Sequence, residues 1–252
     1  MKLLRKTMLY KTGVEYGDYT MNHALGCSHG CQFPCYAFLM KKRFGVVKSW
    51  EEWTAPKIVA NTLELLDGEI PKLKDKIKSV FLCFSTDPFM YGFDEIGKMS
   101  LAAIRKLNDA GIKCIVLTKG ILPIELAELS PENEYGITLV SLAETFREEY
   151  EPNTAPYSER ITALKKLHEA GCKTWVSMEP YPTPNLAEPM HIEIISDVKF
   201  ADKIIFGRWN YNRAVTAYLR EDKNYYNEIA RDVVGICKAS GIEYRIKRGT
   251  ED

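Results

Sequence analysis

Along most of the chain, short runs of apolar and β-branched residues alternate with segments whose apolar residues recur every three or four positions. The short runs are typical of buried strands, and the longer segments have the period of amphipathic helices. The pattern predicts strands at 19–25, 79–84, 113–117, 135–142, 174–178, 203–206 and 241–246. It predicts helices at 56–66, 98–110, 121–129, 157–170, 186–195 and 224–239, two of them followed by a glycine that ends the helix.

Strands that alternate with helices indicate an α/β fold with a parallel sheet and outer crossover helices. An eightfold barrel typically takes about 250 residues, and part of these 252 residues belongs to a cysteine-rich loop and a tail. We therefore expect a single domain built as a partial, open-sided (β/α)6 barrel. Its core is expected at about residues 19–206, with a short helix and strand extension at 207–252. In such folds the chemistry lies at the C-terminal ends of the strands.

Charge and composition narrow the class of protein. Lys and Arg total 34, as do Asp and Glu, so the formal net charge is zero and gives no general attraction to nucleic acid or anionic membranes. No apolar run approaches the roughly 18 residues of a membrane span, and the N-terminus lacks the apolar stretch of a secretory signal. We expect a cytoplasmic protein, in which seven cysteines, an odd number, do not form a disulfide framework.

Three of these cysteines lie close together after the first predicted strand, as Cys27, Cys31 and Cys35. Glycines and a proline let this segment curl, so the three thiolates can hold one metal centre. Structural zinc sites usually have four protein ligands, whereas three thiolates on an iron–sulfur cubane leave one iron open for another molecule. His29 could complete a Cys3His zinc site, although it lies inside the loop, and a chance grouping is the third possibility.

At this loop the sequence resembles the radical S-adenosylmethionine superfamily, which carries three cysteines after the first barrel strand. The opening Gly-Cys-Ser-His-Gly-Cys and the closing Cys-Tyr-Ala are most similar to the branch that includes spore photoproduct lyase. The second cysteine gap is one residue longer than usual, with Pro34 as the extra residue. The resemblance implies a [4Fe–4S] cluster on the three cysteines. It also implies S-adenosylmethionine beside it, with Phe33 near the adenine and Tyr36 as a further cofactor contact.

Polar residues at later strand ends extend the resemblance. It implies that the cofactor is held by residues after the second, third and fourth strands and at the start of the following helix: Ser85, Thr86, Asp87, Lys119, Ser141 and Arg160. Each has a simpler alternative. The segment with Asp87 could be a capped turn, Lys119 could be solvated, and Arg160 could form a surface ion pair with Glu151.

Other residues near the strand ends leave more than one interpretation. Glu179 could face the barrel mouth, and the loop with Trp209 could form a substrate pocket or a packed surface loop. The basic end 245–248 could be a solvated tail or contact a phosphate. In spore photoproduct lyase a cysteine near the end of the second strand donates a hydrogen atom. Cys83 lies one residue before the matching position. A shift of one residue along a strand moves a side chain to the opposite face of the sheet, so we do not assign this role to Cys83.

The activity implied by the resemblance is reductive cleavage of S-adenosylmethionine to methionine and a 5′-deoxyadenosyl radical. That radical would take a hydrogen atom from an unidentified substrate, for which a nucleic-acid base or nucleotide is a candidate. A one-electron donor such as flavodoxin or ferredoxin is implied as a partner. No membrane partner is expected. The alternative from another class is a non-catalytic zinc-binding or nucleic-acid-binding module. Polar strand ends such as Asp87, Lys119 and Ser141 favour an enzyme, because a structural metal site has no need of them.

Overall fold

The computed structural model describes residues 3–13, 15 and 17–251. Its strands are β1 (Tyr10–Lys11), β2 (Tyr19–Met21), β3 (Ala24–Leu25), β4 (Lys57–Ile58), β5 (Ser79–Leu82), β6 (Lys113–Thr118), β7 (Glu134–Thr138), β8 (Lys173–Tyr181), β9 (Lys203–Arg208) and β10 (Glu243–Ile246). Its α-helices are α1 (Tyr36–Arg43), α2 (Trp50–Thr54), α3 (Thr62–Leu73), α4 (Asp94–Asp109), α5 (Glu144–Tyr150), α6 (Tyr157–Glu169), α7 (His191–Asp197), α8 (Arg213–Glu221) and α9 (Tyr225–Ser240). In this described part, no helix has the length and apolar character needed to cross a membrane.

The central sheet has eight strands in the order β1-β2-β5-β6-β7-β8-β9-β10. All neighbours from β2 to β10 are parallel, and β1 pairs antiparallel with β2 at one edge. The predicted α/β fold with a mostly parallel sheet is confirmed. The predicted C-terminal extension continues the fold, because β10 adds a seventh parallel strand beside β9.

The two faces of the sheet carry different apolar clusters, as alternation along each strand requires. One face packs against the helices and includes Val80, Val116 and Ile204. The other face, which we call the inner face, carries a smaller cluster formed by Phe81, Ile115, Trp175 and Ile205. Gly136 makes room for the largest of these side chains, because a Cβ at this position would lie 2.4 Å from the Trp175 indole.

The sheet curls around this inner face, as contacts between side chains from its two edges show. Arg245 on β10 donates from Nη1 to the backbone oxygen of Glu15 at 2.9 Å. Its Nη2 lies 3.0 Å from the Glu15 carboxylate. Glu15 lies between β1 and β2, at the opposite edge of the sheet. The described strands therefore form a partial barrel that an ion pair closes where backbone pairing stops.

Two predicted elements differ from the structure in an instructive way. The first predicted strand divides into β2 in the main sheet and β3 in a separate antiparallel pair with β4. The helix predicted at 56–66 begins only at Thr62. The residues before it form β4 and then a turn in which the Val59 N–H donates to the His23 carbonyl at 2.8 Å. This long-range pairing overrides the helical spacing of the segment.

Candidate active site

The cysteine loop, residues 26–35, connects β3 to α1 and is fixed at both ends. Gly26 has a φ of +90°, and a Cβ there would lie 2.5 Å from the Trp53 carbonyl oxygen, so only glycine fits. The N–H of Cys27 donates to the same oxygen at 2.8 Å. At the other end, Cys35 is the N-cap residue of α1. The helix begins directly after the last thiol.

The three thiols of the loop are free and half-buried. Cys27 and Cys35 contact one apolar cluster that includes Trp53, whereas Cys31 packs against the main core. Burial raises the pKa of all three thiols, that of Cys31 to about 12, although the nearby Lys119 ammonium acts against this. Thiolates are the form that binds metal. A positively charged centre at the loop would supply the compensation that these buried thiols need.

The loop offers three thiols, a donor set of the kind that holds an iron–sulfur cluster. Among residues 3–13, 15 and 17–251, no three His, Cys, Asp or Glu side chains are grouped to hold one metal ion. A cluster binds each cysteine thiolate at a different iron atom. Its ligands therefore surround it and do not meet at one point. Three thiols on one curled loop, without a carboxylate among them, fit that kind of group.

His29, the fourth ligand of the zinc alternative, is engaged by the protein on both sides of its ring. Its Nε2 accepts a hydrogen bond from the Tyr91 N–H at 3.0 Å. Its Nδ1 lies 3.5 Å from a carboxylate oxygen of Asp87. Burial lowers the pKa of His29, with Asp87 acting against this. Because Nε2 accepts, the proton of the neutral ring lies on Nδ1, and neither nitrogen is left for a metal.

Asp87 is buried and holds two strand ends together. One carboxylate oxygen accepts from the Phe89 N–H at 2.8 Å and from the Thr118 hydroxyl at 2.5 Å. The other accepts from the Lys119 N–H at 2.8 Å. With His29 beside them, both oxygens have protein partners. This is the capped-turn arrangement. Direct contact between Asp87 and a cofactor stays a prediction.

Lys119 lies at the centre of the candidate site. Its Nζ is 3.8 Å from the Cys31 sulfur, 2.8 Å from Oε1 of Glu151 and 4.1 Å from the centre of the Phe33 ring. Burial alone would lower the pKa of Lys119, but Cys31 and Glu151 raise it. The ammonium is therefore charged and directed to the cysteine loop. It is not the solvated lysine of the alternative interpretation.

Arg160, by contrast, forms an ion pair with Glu151, which was the simpler alternative to a cofactor contact. Its Nη2 lies 2.8 Å from Oε2 of Glu151, and its other donors bind the Thr154 hydroxyl and the carbonyls of Ala155 and Thr138. Both side chains of the ion pair are fully buried, so the pair is internal and not on the surface as expected. The Arg160 guanidinium is occupied by protein acceptors, and a cofactor contact by it stays a prediction that this packing does not favour.

Phe33 packs into an aromatic cluster with side chains from two distant segments. Its ring makes an edge contact with Trp209 at a centroid distance of 5.0 Å and stacks on Tyr150 at 6.3 Å. The Trp209 indole and Asn212 donate to the Phe33 carbonyl at 2.7 and 3.1 Å. Trp209 is therefore part of a packed loop that supports the cysteine loop. A contact between Phe33 and adenine stays a prediction.

The other predicted cofactor contacts lie around the same strand ends. The Ser85 N–H and hydroxyl both donate to Asn22, a residue that sequence patterns did not single out. The Thr86 hydroxyl is buried beside the Cys83 thiol, with which it interacts. Ser141 is buried in the loop after β7 and accepts from the Ala143 N–H. Tyr36 is exposed and donates to the Phe84 carbonyl at 2.6 Å.

Cys83 follows β5 in a turn, where its φ of +54° is left-handed and breaks the strand alternation, and its side chain lies off the inner face. Its sulfur is 3.3 Å from Nδ1 of the buried His23, whereas its neighbour Phe84 packs with Phe81 on the inner face. Because β5 ends at Leu82, the alternation expected from the sequence does not extend to Cys83, and no hydrogen-donor role is assigned to it.

Lys247 is the residue whose position was least expected from sequence. It does not lie in a solvated tail, because its Nζ contacts both carboxylate oxygens of Glu179 at 2.6 Å. Gly207 lies against Glu179, and a Cβ at Gly207 would be 3.0 Å from it. Burial raises the pKa of Glu179, while Lys247 acts against this. The two charges are 68 residues apart, so no local pattern connects them.

Comparison with known families decides what this arrangement belongs to. A family model described as the radical SAM superfamily matches residues 21–194, which include the cysteine loop and the strand ends around it. The chain belongs to the radical SAM superfamily. This radical SAM protein is also 25% identical over 195 residues to the uncharacterised protein MJ0683 of Methanocaldococcus jannaschii. The match covers 76% of this chain and 71% of that protein.

Solved structures support the same fold. Spore photoproduct lyase with bound S-adenosylmethionine and dinucleoside spore photoproduct has a TM-score of 0.71 at 12% identity, covering 96% of this chain and 80% of that chain. SuiB of Streptococcus suis bound to S-adenosylmethionine has a TM-score of 0.55 at 12% identity, covering 90% of this chain and 46% of that chain. The partial barrel is thus the fold of radical SAM enzymes, and this chain is such an enzyme.

Proposed function

We propose that this enzyme holds a [4Fe–4S] cluster on Cys27, Cys31 and Cys35 and uses it to cleave S-adenosylmethionine reductively. The observation that carries the proposal is the position of Lys119, whose ammonium lies 3.8 Å from the Cys31 sulfur at the strand ends. Membership of the superfamily supports both the cluster and S-adenosylmethionine. When bound, the two groups supply a 5′-deoxyadenosyl radical that takes a hydrogen atom from the substrate.

The protein's own residues position this chemistry. Lys119 contributes a positive charge that favours the thiolate of Cys31 and is available to an anionic ligand. Glu151 and Arg160 hold Lys119 in place from the buried side. A cofactor carboxylate at Lys119 would share its ammonium with Glu151.

An enzyme of this superfamily needs an electron donor and a substrate. We infer that the donor is a flavodoxin or a ferredoxin, and that the protein works in the reducing cytoplasm, where free thiols persist. For the substrate we favour a nucleic-acid base or nucleotide. Spore photoproduct lyase, which covers most of this chain at a TM-score of 0.70, was solved with a dinucleoside spore photoproduct. SuiB was solved with its precursor peptide SuiA, at a TM-score of 0.50, so a peptide is the competing class.

Anaerobic reconstitution tests the cluster directly. We expect about four iron and four sulfide per chain, and cleavage of S-adenosylmethionine to 5′-deoxyadenosine when dithionite is added. Cys31→Ala should lose both the full iron content and the cleavage. Cys172→Ala, which changes a half-buried cysteine far from the loop, is the matched control and should lose neither. A Cys31→Ala chain that still cleaves the cofactor contradicts the proposal. One zinc per chain without sulfide supports the zinc alternative.

A further inference from the structure

The helix that follows the last cysteine exposes apolar side chains on its outer surface. Leu39 and Met40 on α1, with Phe44 and Val46 in the turn directly after it, are between 42% and 69% exposed. The opposite side of the helix is packed, because Ala37 is buried and Phe38 contacts Trp50. Apolar groups gathered on an exposed surface mark an interaction site more often than apolar groups scattered singly.

Basic side chains surround these apolar groups. Lys42 and Arg43 in the last turn of α1 and Lys48 after it are exposed. In the described part of the chain, no carboxylate lies within ion-pair distance of their charged groups. Two acids lie beside this surface: Glu51 interacts electrostatically with Lys42, and Glu52 accepts from the Lys48 N–H at 2.8 Å and pairs with Lys57 at 3.8 Å. The surface therefore carries a local positive charge on a chain whose formal net charge is zero.

We call these seven residues the α1 face: Leu39, Met40, Lys42, Arg43, Phe44, Val46 and Lys48. The face is directly linked to the cysteine loop. Cys35 is the N-cap of α1, and its carbonyl accepts the Leu39 N–H at 3.1 Å. At about 1.5 Å per residue, the whole of α1 extends only about 12 Å from that cysteine. An electron that enters at this face has a short path to Cys35 through covalent and hydrogen bonds.

We propose that the α1 face is the docking surface for an acidic one-electron carrier protein that reduces the cluster. This inference rests on the proposed function, because it requires a cluster on Cys35. Apolar contacts at the centre and complementary charges around them suit a small, transient interface of the kind that electron-transfer pairs form. Complementary charges raise the association rate of the two proteins, and the small buried area of the interface lets the oxidised carrier dissociate quickly.

The composition of the face argues for a protein as the occupant. Four large exposed apolar side chains gain little from a phosphate backbone, whereas a protein partner buries them. Three exposed cations within seven positions select an acidic partner, since like charges facing each other across an interface are costly. A nucleic acid or a second copy of this chain would use the same surface differently, and both are outcomes of the test below.

The experiment compares two electron sources with the reconstituted enzyme. Lys42→Glu/Arg43→Glu reverses two exposed charges that contact neither the thiols nor Lys119. Lys165→Glu/Lys166→Glu makes the same change of charge on α6 and is the matched control. Cleavage of S-adenosylmethionine is measured with dithionite, and separately with purified flavodoxin kept reduced by its reductase. Phe44→Ser tests the apolar part of the face in the same assays.

With dithionite we expect all variants to match the wild type within about twofold. With flavodoxin, the KM for flavodoxin should rise at least about tenfold in Lys42→Glu/Arg43→Glu, stay unchanged in the α6 control and rise in Phe44→Ser. The wild-type rate at low flavodoxin concentration should fall with added salt, and that fall should largely disappear in the α1 variant.

Three results would overturn the inference. The first is an unchanged KM for flavodoxin in both α1 variants. The second is an equal loss with dithionite and flavodoxin, which would place the face in substrate or cofactor binding. The third is loss of single-stranded DNA binding or of a dimer, with the KM for flavodoxin unchanged. A wild-type enzyme that fails with dithionite contradicts the proposed function itself, and the inference falls with it.

Discussion

Glu151 is the side chain whose replacement should disturb the candidate site most, because it is the single carboxylate between Lys119 and Arg160. Glu151→Gln keeps the size of the side chain and removes its charge. Lys119 and Arg160, each 2.8 Å from a different Glu151 oxygen, would then face each other without a counter-charge in a buried environment. Removal of one partner from a buried ion pair is costly because the remaining charges cannot recover their hydration.

The magnitude follows from two routes. Burial alone would raise the pKa of Glu151, but Lys119 and Arg160 lower it from 4.5 to about 2. At about 1.4 kcal/mol per tenfold change in proton affinity, this corresponds to about 3 kcal/mol of stability. Loss of one partner from a buried pair typically costs about 3–5 kcal/mol. Both routes predict a loss of about 3–5 kcal/mol at pH 7, or about 6–20 °C in Tm for a chain of this size.

The assay is urea unfolding of the reconstituted enzyme under anaerobic conditions, followed by tryptophan fluorescence at several pH values. Because the folded-state pKa of Glu151 lies below its unfolded value, its contribution is complete above pH 4.5 and is lost as pH falls toward 2. The difference between wild type and Glu151→Gln should shrink over that window. The control is Glu132→Gln, which removes an exposed ion pair with Lys173 and should cost less than about 1 kcal/mol. Equal losses in the two variants at pH 7 would refute the reasoning.

Two further predictions concern the inner face and the buried histidine. Gly136→Ala should destabilise the protein by about 1–3 kcal/mol or more, because its Cβ would lie 2.4 Å from Trp175. Gly235→Ala, with open space around it on α9, should stabilise by about 0.5–1 kcal/mol, and the opposite order in urea unfolding would contradict this packing. Burial lowers the pKa of His23 to about 4, so its contribution is complete above pH 6.5 and is lost as pH falls toward 4, by about 3 kcal/mol. His23→Asn should remove that part of the pH dependence, and an unchanged slope in the variant would show that His23 is not its source.

The alternation of strand and helix periods was enough to predict the parallel sheet, because periodicity is a local property of the chain. The cysteine loop was readable for the same reason, since its three thiols and its glycines lie within a few positions of one another. Each of these inferences needs only near neighbours along the sequence.

Tertiary packing alone decided which charges meet and which rings enclose the loop. Lys119, Glu151 and Arg160 come from three different elements, so their ion pairs depend on how β6 and α6 lie beside the loop between them. The same holds for Lys247 and Glu179, which β8 and β10 bring together from either side of β9. A charge or an aromatic ring can pair equally well with many others in the unfolded chain. Only the order and curl of the sheet select one partner, and those are global properties of the fold.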